Sequence, residues 1–251
     1  MPIFSDYSRC YNLLYADKDY AAEAAYVAGH IRRVTPEAHS ILELGCGTGR
    51  HAHHFASLGF NLHGVDLSQE MIEIARSNHQ PADRNVVFEV GDVRSVRLGR
   101  RFDCVLSLFH VMSYQTSNED IRNAFRTAAE HTAPGGIFVF DCWYGPGALT
   151  DPPAVRVKRV SSDDLKITRI AEPTVDSMAN VVQVDYLLHV QEKTPSSERW
   201  ISESHRMRYF FVPEIELMLG EVGFRLHGAY RWMSDESPTL DTWNAMFVAG
   251  K

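Results

Sequence analysis

The sequence predicts an α/β protein in which helices cover both faces of a mostly parallel sheet. After Pro36, short apolar runs alternate with helical patterns, and this βαβ alternation is typical of parallel sheets. A stretch of alternating polar and apolar residues then interrupts the order, and helical and extended patterns resume near the end of the chain. We therefore expect a doubly wound sheet with an antiparallel β insertion after its fifth strand.

The first part of the chain contains five predicted strands. They are the apolar runs at residues 40–44, 61–65, 86–90, 102–109 and 136–140. A helix precedes them, because apolar residues between Asp17 and Arg33 recur at helical spacing. Before the fifth strand, Asn118 is the predicted N-cap of another helix, which Pro134-Gly135-Gly136 is expected to end.

The second part of the chain changes character after residue 150. Alternating segments at residues 166–171, 181–190 and 199–210 predict the antiparallel insertion. A helix is expected to start at Pro213 and stop before Gly223, and two extended runs close the chain. The predicted units are residues 1–35, 36–150, 151–209 and 210–251, which are an N-terminal helical segment, the core, the insertion and the C-terminal part of the core.

Composition and charge narrow the class of protein. The 25 Lys and Arg against 32 Asp and Glu give a formal charge of −7, which argues against nucleic-acid and anionic-membrane partners. No run approaches the roughly 20 apolar residues of a membrane span, and Asp6 and Arg9 interrupt the segment where a secretory signal would be apolar. The four cysteines lie far apart in the sequence and form no Cys-x-x-Cys pair, so we expect reduced thiols. We expect a cytoplasmic protein.

The histidines near residue 51 raise the question of a metal site. On a helix, His51 and His54 would share one face, but no Glu or Cys of the same segment completes a ligand set. We therefore expect a solvated helix face and no metal.

A glycine-rich loop follows the first predicted strand. It reads Glu43-Leu44-Gly45-Cys46-Gly47-Thr48-Gly49 and opens a predicted helix, so the backbone can turn tightly and let a ligand approach. Asp66 ends the second strand. Its distance in sequence from Gly49 is close to the one at which a carboxylate accepts hydrogen bonds from ribose hydroxyls. A dinucleotide site typically reads G-x-G-x-x-G, whereas Glu43 would repel a pyrophosphate and suits an ammonium group. A structural turn and an NAD(P)-binding oxidoreductase stay open as alternatives at this point.

At this loop the sequence resembles the class I S-adenosylmethionine-dependent methyltransferases, whose first motif is acidic-x-G-x-G-x-G. The resemblance runs from about Ile41 to the end of the chain. It implies a Rossmann-like seven-stranded sheet, S-adenosyl-L-methionine as cofactor and residues 1–35 as a cap over it. The implied cofactor-binding residues are Tyr11, Tyr15, Glu43, Gly45, Cys46, Gly47, Gly49, Asp66, Leu67, Ser68, Met71, Gly91, Asp92, Val93, Leu108 and Phe109.

The same resemblance implies a role for each later motif. Asp66-Leu67-Ser68 looks like the ribose-binding turn, with Met71 beside the adenine. Gly91-Asp92-Val93 looks like the adenine pocket, in which Asp92 would accept from the exocyclic amine. Leu108-Phe109-His110 looks like the strand end beneath the cofactor.

The predicted substrate is a small molecule. The fourth strand ends without the Asn/Asp-Pro-Pro-aromatic motif that grips a flipped purine. The segment from Tyr11 to Tyr15, the insertion, and Glu203-Ser204-His205-Arg206 are similar to bacterial N,N-dimethyltransferases of nucleotide-linked amino-deoxysugars. This likeness implies that the insertion forms the acceptor pocket or a homodimer contact. The predicted pocket residues are Trp143, Tyr144, His205 and Arg206, and a merely packed loop is the alternative for the first two.

Two residues are candidates for proton transfer. In that subgroup a histidine beyond the fourth strand lies near the reacting amine, and Tyr114 aligns with it, with His110 one turn earlier. An amine needs only deprotonation, whereas a hydroxyl needs a general base such as His110. His110 and Tyr114 are thus the predicted catalytic residues, although His110 could equally form part of the cofactor floor. An O- or N-methyltransferase of another metabolite or glycan, and a non-catalytic cofactor-binding protein, stay open.

Overall fold

The computed structural model of the chain describes residues 8–79, 85–194 and 196–251. The helices are α1 (Ser8–Leu14), α2 (Tyr20–Val34), α3 (Arg50–Ser57), α4 (Gln69–Asn78), a 3₁₀ turn (Val111–Tyr114), α5 (Asn118–His131), α6 (Gly145–Thr150) and α7 (Val212–Glu221). The strands are β1 (Ser40–Leu44), β2 (Asn61–Asp66), β3 (Val86–Val90), β4 (Phe102–Ser107), β5 (Thr132–Tyr144), β6 (Arg156–Ser161), β7 (Leu165–Asp176), β8 (Val181–Lys193), β9 (Ser196–Phe210), β10 (Arg225–Arg231) and β11 (Asn244–Gly250).

The central sheet has the strand order β3-β2-β1-β4-β5-β11-β10. The first five strands are parallel, and β11 and β10 are antiparallel to their neighbours. The predicted doubly wound, mostly parallel seven-stranded sheet is therefore confirmed. Because the carboxyl ends of β1, β2, β3 and β4 meet at one edge, the loops that follow them converge there.

The insertion consists of β6 to β9 paired antiparallel in sequence order. It joins the central sheet through a short parallel pairing of β9 with the end of β5, at Trp143 with Tyr209 and Tyr144 with Phe210. Three of its strands match the predicted segments. The sequence analysis missed β6, because a charged residue stands at three of its six positions and obscures the apolar alternation.

The helix α5 differs from its prediction at both ends. Its N-cap is Ser117, whose hydroxyl accepts a hydrogen bond from the Asp120 amide at 3.0 Å, so the assignment to Asn118 was wrong by one residue. The helix ends at His131, where the Thr132 hydroxyl donates to the Ala128 carbonyl at 2.7 Å and the backbone becomes extended. Pro134-Gly135-Gly136 accordingly lies inside β5 and does not end the helix.

Apolar side chains bury both faces of the central sheet. One face packs against α2, α3 and α4 around Ile31, Phe55 and Phe88, and the other packs against α5 and α7 around Phe125 and Phe247. The short helix α1 lies elsewhere. It packs on the insertion, in a cluster that comprises Cys10, Leu14, Ile167, Leu188, Val190 and Ile201.

The helices of the described residues include none that is both long and apolar enough to pass through a membrane. The four cysteines are buried and carry free thiols. Residues 1–7, which include Asp6 from the argument against a secretory signal, lie outside the described part of the chain.

Candidate active site

The glycine loop between β1 and α3 is closed at its ends and open in its middle. Gly45, Gly47 and Gly49 have φ angles of 81°, 54° and 72°, a region that strongly favours glycine. A Cβ on Gly45 would lie 2.5 Å from Val111, and one on Gly49 would lie 2.7 Å from Phe88. Among the described residues, and apart from its two neighbours in the chain, a Cβ on Gly47 would have nothing within 4 Å. The loop therefore presents its open surface at Gly47.

Asp66, at the end of β2, connects this loop to α4. Its carboxylate accepts hydrogen bonds from the Gly47 amide at 2.8 Å and the Ser68 amide at 2.9 Å. Ser68 caps α4 by accepting from the Met71 amide at 3.2 Å. Burial raises the pKa of Asp66 above its ordinary value. The half-buried carboxylate thus lies directly beside the open part of the loop, whereas Leu67 is 66 % exposed.

Glu43 lies at the other side of the loop and is the second-to-last residue of β1. It is 1 % exposed, and its Oε1 lies 3.5 Å from Nδ1 of His51. Its Oε2 is buried without a hydrogen-bond partner in the described part of the chain. A buried carboxylate oxygen is costly unless a donor satisfies it. The position therefore suits a cationic group of a ligand.

His51 is buried between two carboxylates. Its Nε2 lies 2.9 Å from Glu23 Oε2, and Glu23 also binds Lys18. The ring is 6 % exposed, so the expected solvated helix face was wrong for His51: the two carboxylates, both distant in sequence, compensate for its burial. Burial alone would lower the pKa of His51, but the hydrogen bonds to Glu23 and Glu43 outweigh it and raise that pKa. Within residues 8–79, 85–194 and 196–251, no three His, Cys, Asp or Glu side chains group as a metal ion would need.

This raised pKa predicts a pH-dependent stability. Because protonated His51 is favoured in the folded state, its stabilising contribution is complete below the unfolded value of about 6.5 and is lost as the pH rises through the folded pKa. We expect the Tm of the wild type to fall more steeply above about pH 6.5 than the Tm of His51→Gln. Thermal unfolding followed by circular dichroism across this range measures the difference. His53→Gln, on the exposed face of α3, is the control, and parallel curves for wild type and His51→Gln would contradict the prediction.

The residues after β3 form a compact turn in which Asp92 already has a partner. Its carboxylate accepts from the Arg94 guanidinium at 2.6 Å and the Arg94 amide at 2.9 Å, and Arg94 also binds Asp120. The hydrogen bond from Arg94 holds the pKa of Asp92 below its ordinary value. The sequence analysis did not predict this pairing. The predicted residues Cys46, Met71, Val93 and Leu108 are buried, and a Cβ on Gly91 would lie 2.8 Å from Val65.

Beyond β4 the backbone adopts an unusual conformation. Phe109 and His110 both have a φ of 65°, which costs about 1–2 kcal/mol per residue for an L side chain and is typical of functional sites. Asp141, 1 % exposed at the end of β5, holds the turn. Its carboxylate accepts from the His110 amide at 3.2 Å and lies 2.9 Å from His110 Nδ1. Burial alone would raise the pKa of Asp141, but His110 lowers it.

Tyr11 of α1 and Tyr15, which follows the helix directly, lie at this strand end. The ring centroid of Phe109 lies 5.1 Å from that of Tyr15 and 6.4 Å from that of Tyr11. In the same helix, Asn12 Oδ1 accepts a hydrogen bond from the Thr48 hydroxyl of the glycine loop at 2.9 Å. The helix therefore contacts both the glycine loop and the end of β4. The closure of the N-terminal tyrosines over the cofactor stays a prediction.

The structure brings Tyr114 and His205 together across 91 residues of sequence. Tyr114 Oη lies 2.8 Å from His205 Nδ1, and His205 Nε2 lies 2.9 Å from Glu203 Oε2. The Tyr186 ring packs edge-on against His205 with a centroid distance of 4.9 Å. Arg206 is exposed on the opposite face of β9, because neighbouring strand residues point to opposite faces. Its prediction as a pocket residue alongside His205 was therefore wrong.

Trp143 and Tyr144, the last two residues of β5, have different surroundings. The Trp143 ring lies 6.3 Å from the His110 ring, and its backbone amide donates to the Ser113 hydroxyl at 2.9 Å. Tyr144 packs against the core cluster of the central sheet, which matches the packed-loop alternative. The residues near the site that the sequence analysis missed are Glu23, Asp141, Arg169 and Tyr186, and Glu203 was quoted without a role.

Comparison with known proteins adds independent information. Residues 41–136 match a family model described as a methyltransferase domain. The chain is 32% identical over 223 residues to dTDP-3-amino-3,4,6-trideoxy-alpha-D-glucopyranose N,N-dimethyltransferase of Streptomyces venezuelae, covering 88% of this chain and 91% of the relative. It is 30% identical to dTDP-4-amino-2,3,4,6-tetradeoxy-D-glucose N,N-dimethyltransferase of Saccharopolyspora spinosa, covering 88% and 86% of the two chains.

A solved structure gives the same result at the level of the fold. The crystal structure of Streptomyces venezuelae DesVI superposes with a TM-score of 0.81 at 29% identity and covers 97% of this chain and 98% of its own. The predicted methyltransferase resemblance is confirmed, and the oxidoreductase alternative is wrong. This chain belongs to the S-adenosylmethionine-dependent methyltransferases, as its glycine loop, its sheet and its relatives show.

Proposed function

We propose that this enzyme transfers methyl groups from S-adenosylmethionine to the amine of a dTDP-linked amino-deoxysugar. The observation that carries the proposal is that α1 joins the glycine loop to the insertion, so that Tyr15, Phe109, Tyr114 and His205 lie around one region. The named relatives, which act on dTDP-linked 3-amino and 4-amino sugars, support it.

The residues at the glycine loop fit S-adenosylmethionine. The buried Oε2 of Glu43 offers an acceptor for the ammonium group, and the loop is open at Gly47. Asp66 would accept hydrogen bonds from the ribose hydroxyls, and Met71 and Val93 would flank the adenine. The carboxylate of Asp92 would accept hydrogen bonds both from the adenine and from Arg94. When bound, the cofactor supplies an electrophilic methyl group on its sulfonium sulfur.

The acceptor would lie between the strand end of β4 and the insertion. Tyr15 and Phe109 offer apolar ring surface for a deoxysugar. Arg169 lies over the rings of Tyr15 and Tyr186 at 5.6 and 5.1 Å, and Lys158 is its cross-strand partner. Strand alternation and register place both cations on the same face of the insertion sheet as His205. Two cations on this face suit the diphosphate of a nucleotide-linked sugar.

The chain's contribution to chemistry is mainly positioning. A well-held near-attack geometry supplies up to roughly 7–11 kcal/mol. The acceptor amine must be neutral to attack, and Tyr114 is the residue proposed to accept its proton. His110, held by Asp141, is proposed to fix the turn beneath the cofactor and the reacting groups.

The ribose assignment predicts the effect of Asp66→Ala. We expect S-adenosylhomocysteine to bind about 1.5–3 kcal/mol more weakly, the range for hydrogen bonds to a charged group, as measured by titration calorimetry. Asp103→Ala is a matched control, because Asp103 also accepts two backbone amides, from His39 and Ser40, but at the opposite end of the sheet. An unchanged dissociation constant in Asp66→Ala, or an equal loss in Asp103→Ala, would contradict the ribose role.

The acceptor is tested by methyl transfer from labelled S-adenosylmethionine. The substrates are dTDP-linked deoxysugars that carry a 3-amino, a 4-amino or a 4-hydroxyl group. We expect transfer to an amine and none to the hydroxyl sugar, with a dimethylated product by mass spectrometry. Transfer to the hydroxyl alone, or to none of the three with cofactor binding intact, would overturn the proposal.

The proposal extends to the setting of the enzyme. We propose a cytoplasmic homodimer without a nucleic-acid partner, and the buried free thiols and the formal charge of −7 support this setting. The outer face of the insertion exposes 48 % of Val157 and 61 % of Trp200, which is apolar surface that a second copy could cover. Light scattering should give twice the chain mass of 28.4 kDa, and a monomer at all concentrations would overturn the dimer.

A further inference from the structure

Tyr114, His205 and Glu203 form one hydrogen-bonded chain from the turn after β4 into the insertion. The two contacts are 2.8 Å from Tyr114 Oη to His205 Nδ1 and 2.9 Å from His205 Nε2 to Glu203 Oε2. With Nε2–H of His205 donating to the Glu203 carboxylate, Nδ1 of the same ring accepts a hydrogen bond from the Tyr114 hydroxyl. The donors therefore all point from Tyr114 toward Glu203, as in a base held by a carboxylate.

His205 and Glu203 point inward from β9, although glutamate side chains are rarely buried and histidines are only sometimes buried. Ser202, Ser204 and Arg206 are exposed on one face of the strand, whereas His205 is 2 % exposed and the Glu203 side chain 10 % exposed on the other. Burying such a pair costs desolvation, and apolar side chains of similar volume would often stabilise the fold equally well. The pairing therefore indicates a use beyond stability.

Within the described part of the chain, the titratable groups besides His205 that act on Tyr114 are Tyr15, directly after α1, Tyr186 of β8 and Glu203 of β9. Arg169 of β7 lies over the Tyr186 ring at 5.1 Å. Burial raises the pKa of Tyr114 well above its ordinary value of 10. Tyr114 is therefore a neutral phenol, and it can accept a proton only while it releases its own.

We propose that Glu203 and His205 give the acceptor's ammonium proton a route out of the site through Tyr114. This inference rests on the proposed amine acceptor. The N–H bond breaks as an O–H bond forms on Tyr114, while the original Tyr114 O–H bond breaks as an N–H bond forms on His205 Nδ1. The Glu203 carboxylate pairs with the resulting imidazolium at Nε2, and the Nδ1 proton then passes to water, which restores the starting tautomer of His205. The amine keeps the electron pair with which it attacks the methyl group.

The relay would act at each methyl transfer. An amine that has gained one methyl group again carries a proton that must leave before a second transfer. His205 and Glu203 do not touch the acceptor in this scheme. They are positioning residues that act through Tyr114.

The test compares pH–rate profiles of the full-length enzyme with saturating S-adenosylmethionine and a dTDP-linked amino sugar. We expect Glu203→Gln to lower the plateau of kcat about tenfold or more, at the lower end for general acid–base catalysis, and to shift its acidic limb. Tyr114→Phe should lower kcat at least as far, and the double variant should be no slower than Tyr114→Phe. Glu198→Gln is the matched control, because Glu198 lies 3.0 Å from His189 on the opposite, exposed face of the same strand.

The outcomes separate the relay from its alternatives. An unchanged Glu203→Gln profile overturns the relay, as does an equal fall at every pH without a shift of the acidic limb, which a merely structural role would give. Histidine nitrogen NMR of the cofactor-free enzyme adds a readout without substrate: a proton on Nε2 of His205 supports the relay, and one on Nδ1 overturns it. A wild type inactive on every dTDP-linked amine overturns the proposed function, whereas failure of the relay alone leaves the wild type active.

Discussion

Glu43→Gln is expected to weaken S-adenosylhomocysteine binding by about 2–5 kcal/mol, the cost of truncating one partner of a buried charge pair. The carboxylate is 1 % exposed, and its Oε2 has no partner in the described part of the chain. Glutamine keeps the size of the side chain but removes its charge, and its NH₂ group cannot accept from the ammonium of the ligand. Titration calorimetry at about neutral pH should show a loss of roughly thirtyfold or more in the dissociation constant.

The edge strand β3 offers a matched control for this substitution. Glu89 of β3 lies 3.3 Å from His63, in a second glutamate–histidine pair with a half-exposed carboxylate outside the glycine loop. Glu89→Gln should leave the affinity unchanged. His51 keeps its contact with Glu23 in Glu43→Gln, so the variant should fold. A dissociation constant of the folded variant that stays near the wild-type value would contradict the role of Glu43 at the ammonium group.

The central sheet was predictable because its signals are local. The runs at 40–44 and 61–65 are buried over most of their length and are therefore largely apolar. The run at 86–90 is an edge strand that buries only Phe88, but its three valines still mark it as extended. The structure places strands there with ends that agree within one residue. The glycine loop and Asp66 were predictable for the same reason, since a turn and the residue after a strand have a fixed place in the sequence.

The charged partners of the site were not predictable from local patterns. His51 meets Glu23 across 28 residues, and Tyr114 meets His205 across 91. No spacing rule connects such residues before the chain folds. Strand alternation did carry information on Arg206, because it must point away from a neighbour that faces inward.

Gly49→Ala is expected to destabilise the enzyme by about 2–5 kcal/mol, the sum of roughly 1–2 kcal/mol for a left-handed L residue and about 1–3 kcal/mol for overpacking. The φ of Gly49 is 72°, and the new Cβ would lie 2.7 Å from the Phe88 ring and 3.2 Å from the Ala75 methyl group. Phe88 cannot move freely, because its ring also fills the space beside Gly64, where a Cβ would lie 2.6 Å away. Urea unfolding of the ligand-free protein measures the loss.

Gly47→Ala separates backbone strain from ligand approach. Its φ of 54° carries the same left-handed cost, but nothing in residues 8–79, 85–194 and 196–251 beyond its chain neighbours lies within 4 Å of the new Cβ. The loss of stability should therefore be limited to about 1–2 kcal/mol. The affinity for S-adenosylhomocysteine should fall more than in His53→Gln, because the added methyl group occupies the open surface of the loop. Equal stability losses in the two variants would contradict the packing at Gly49. Unchanged binding in Gly47→Ala would mean that the ligand does not approach the glycine loop at its middle.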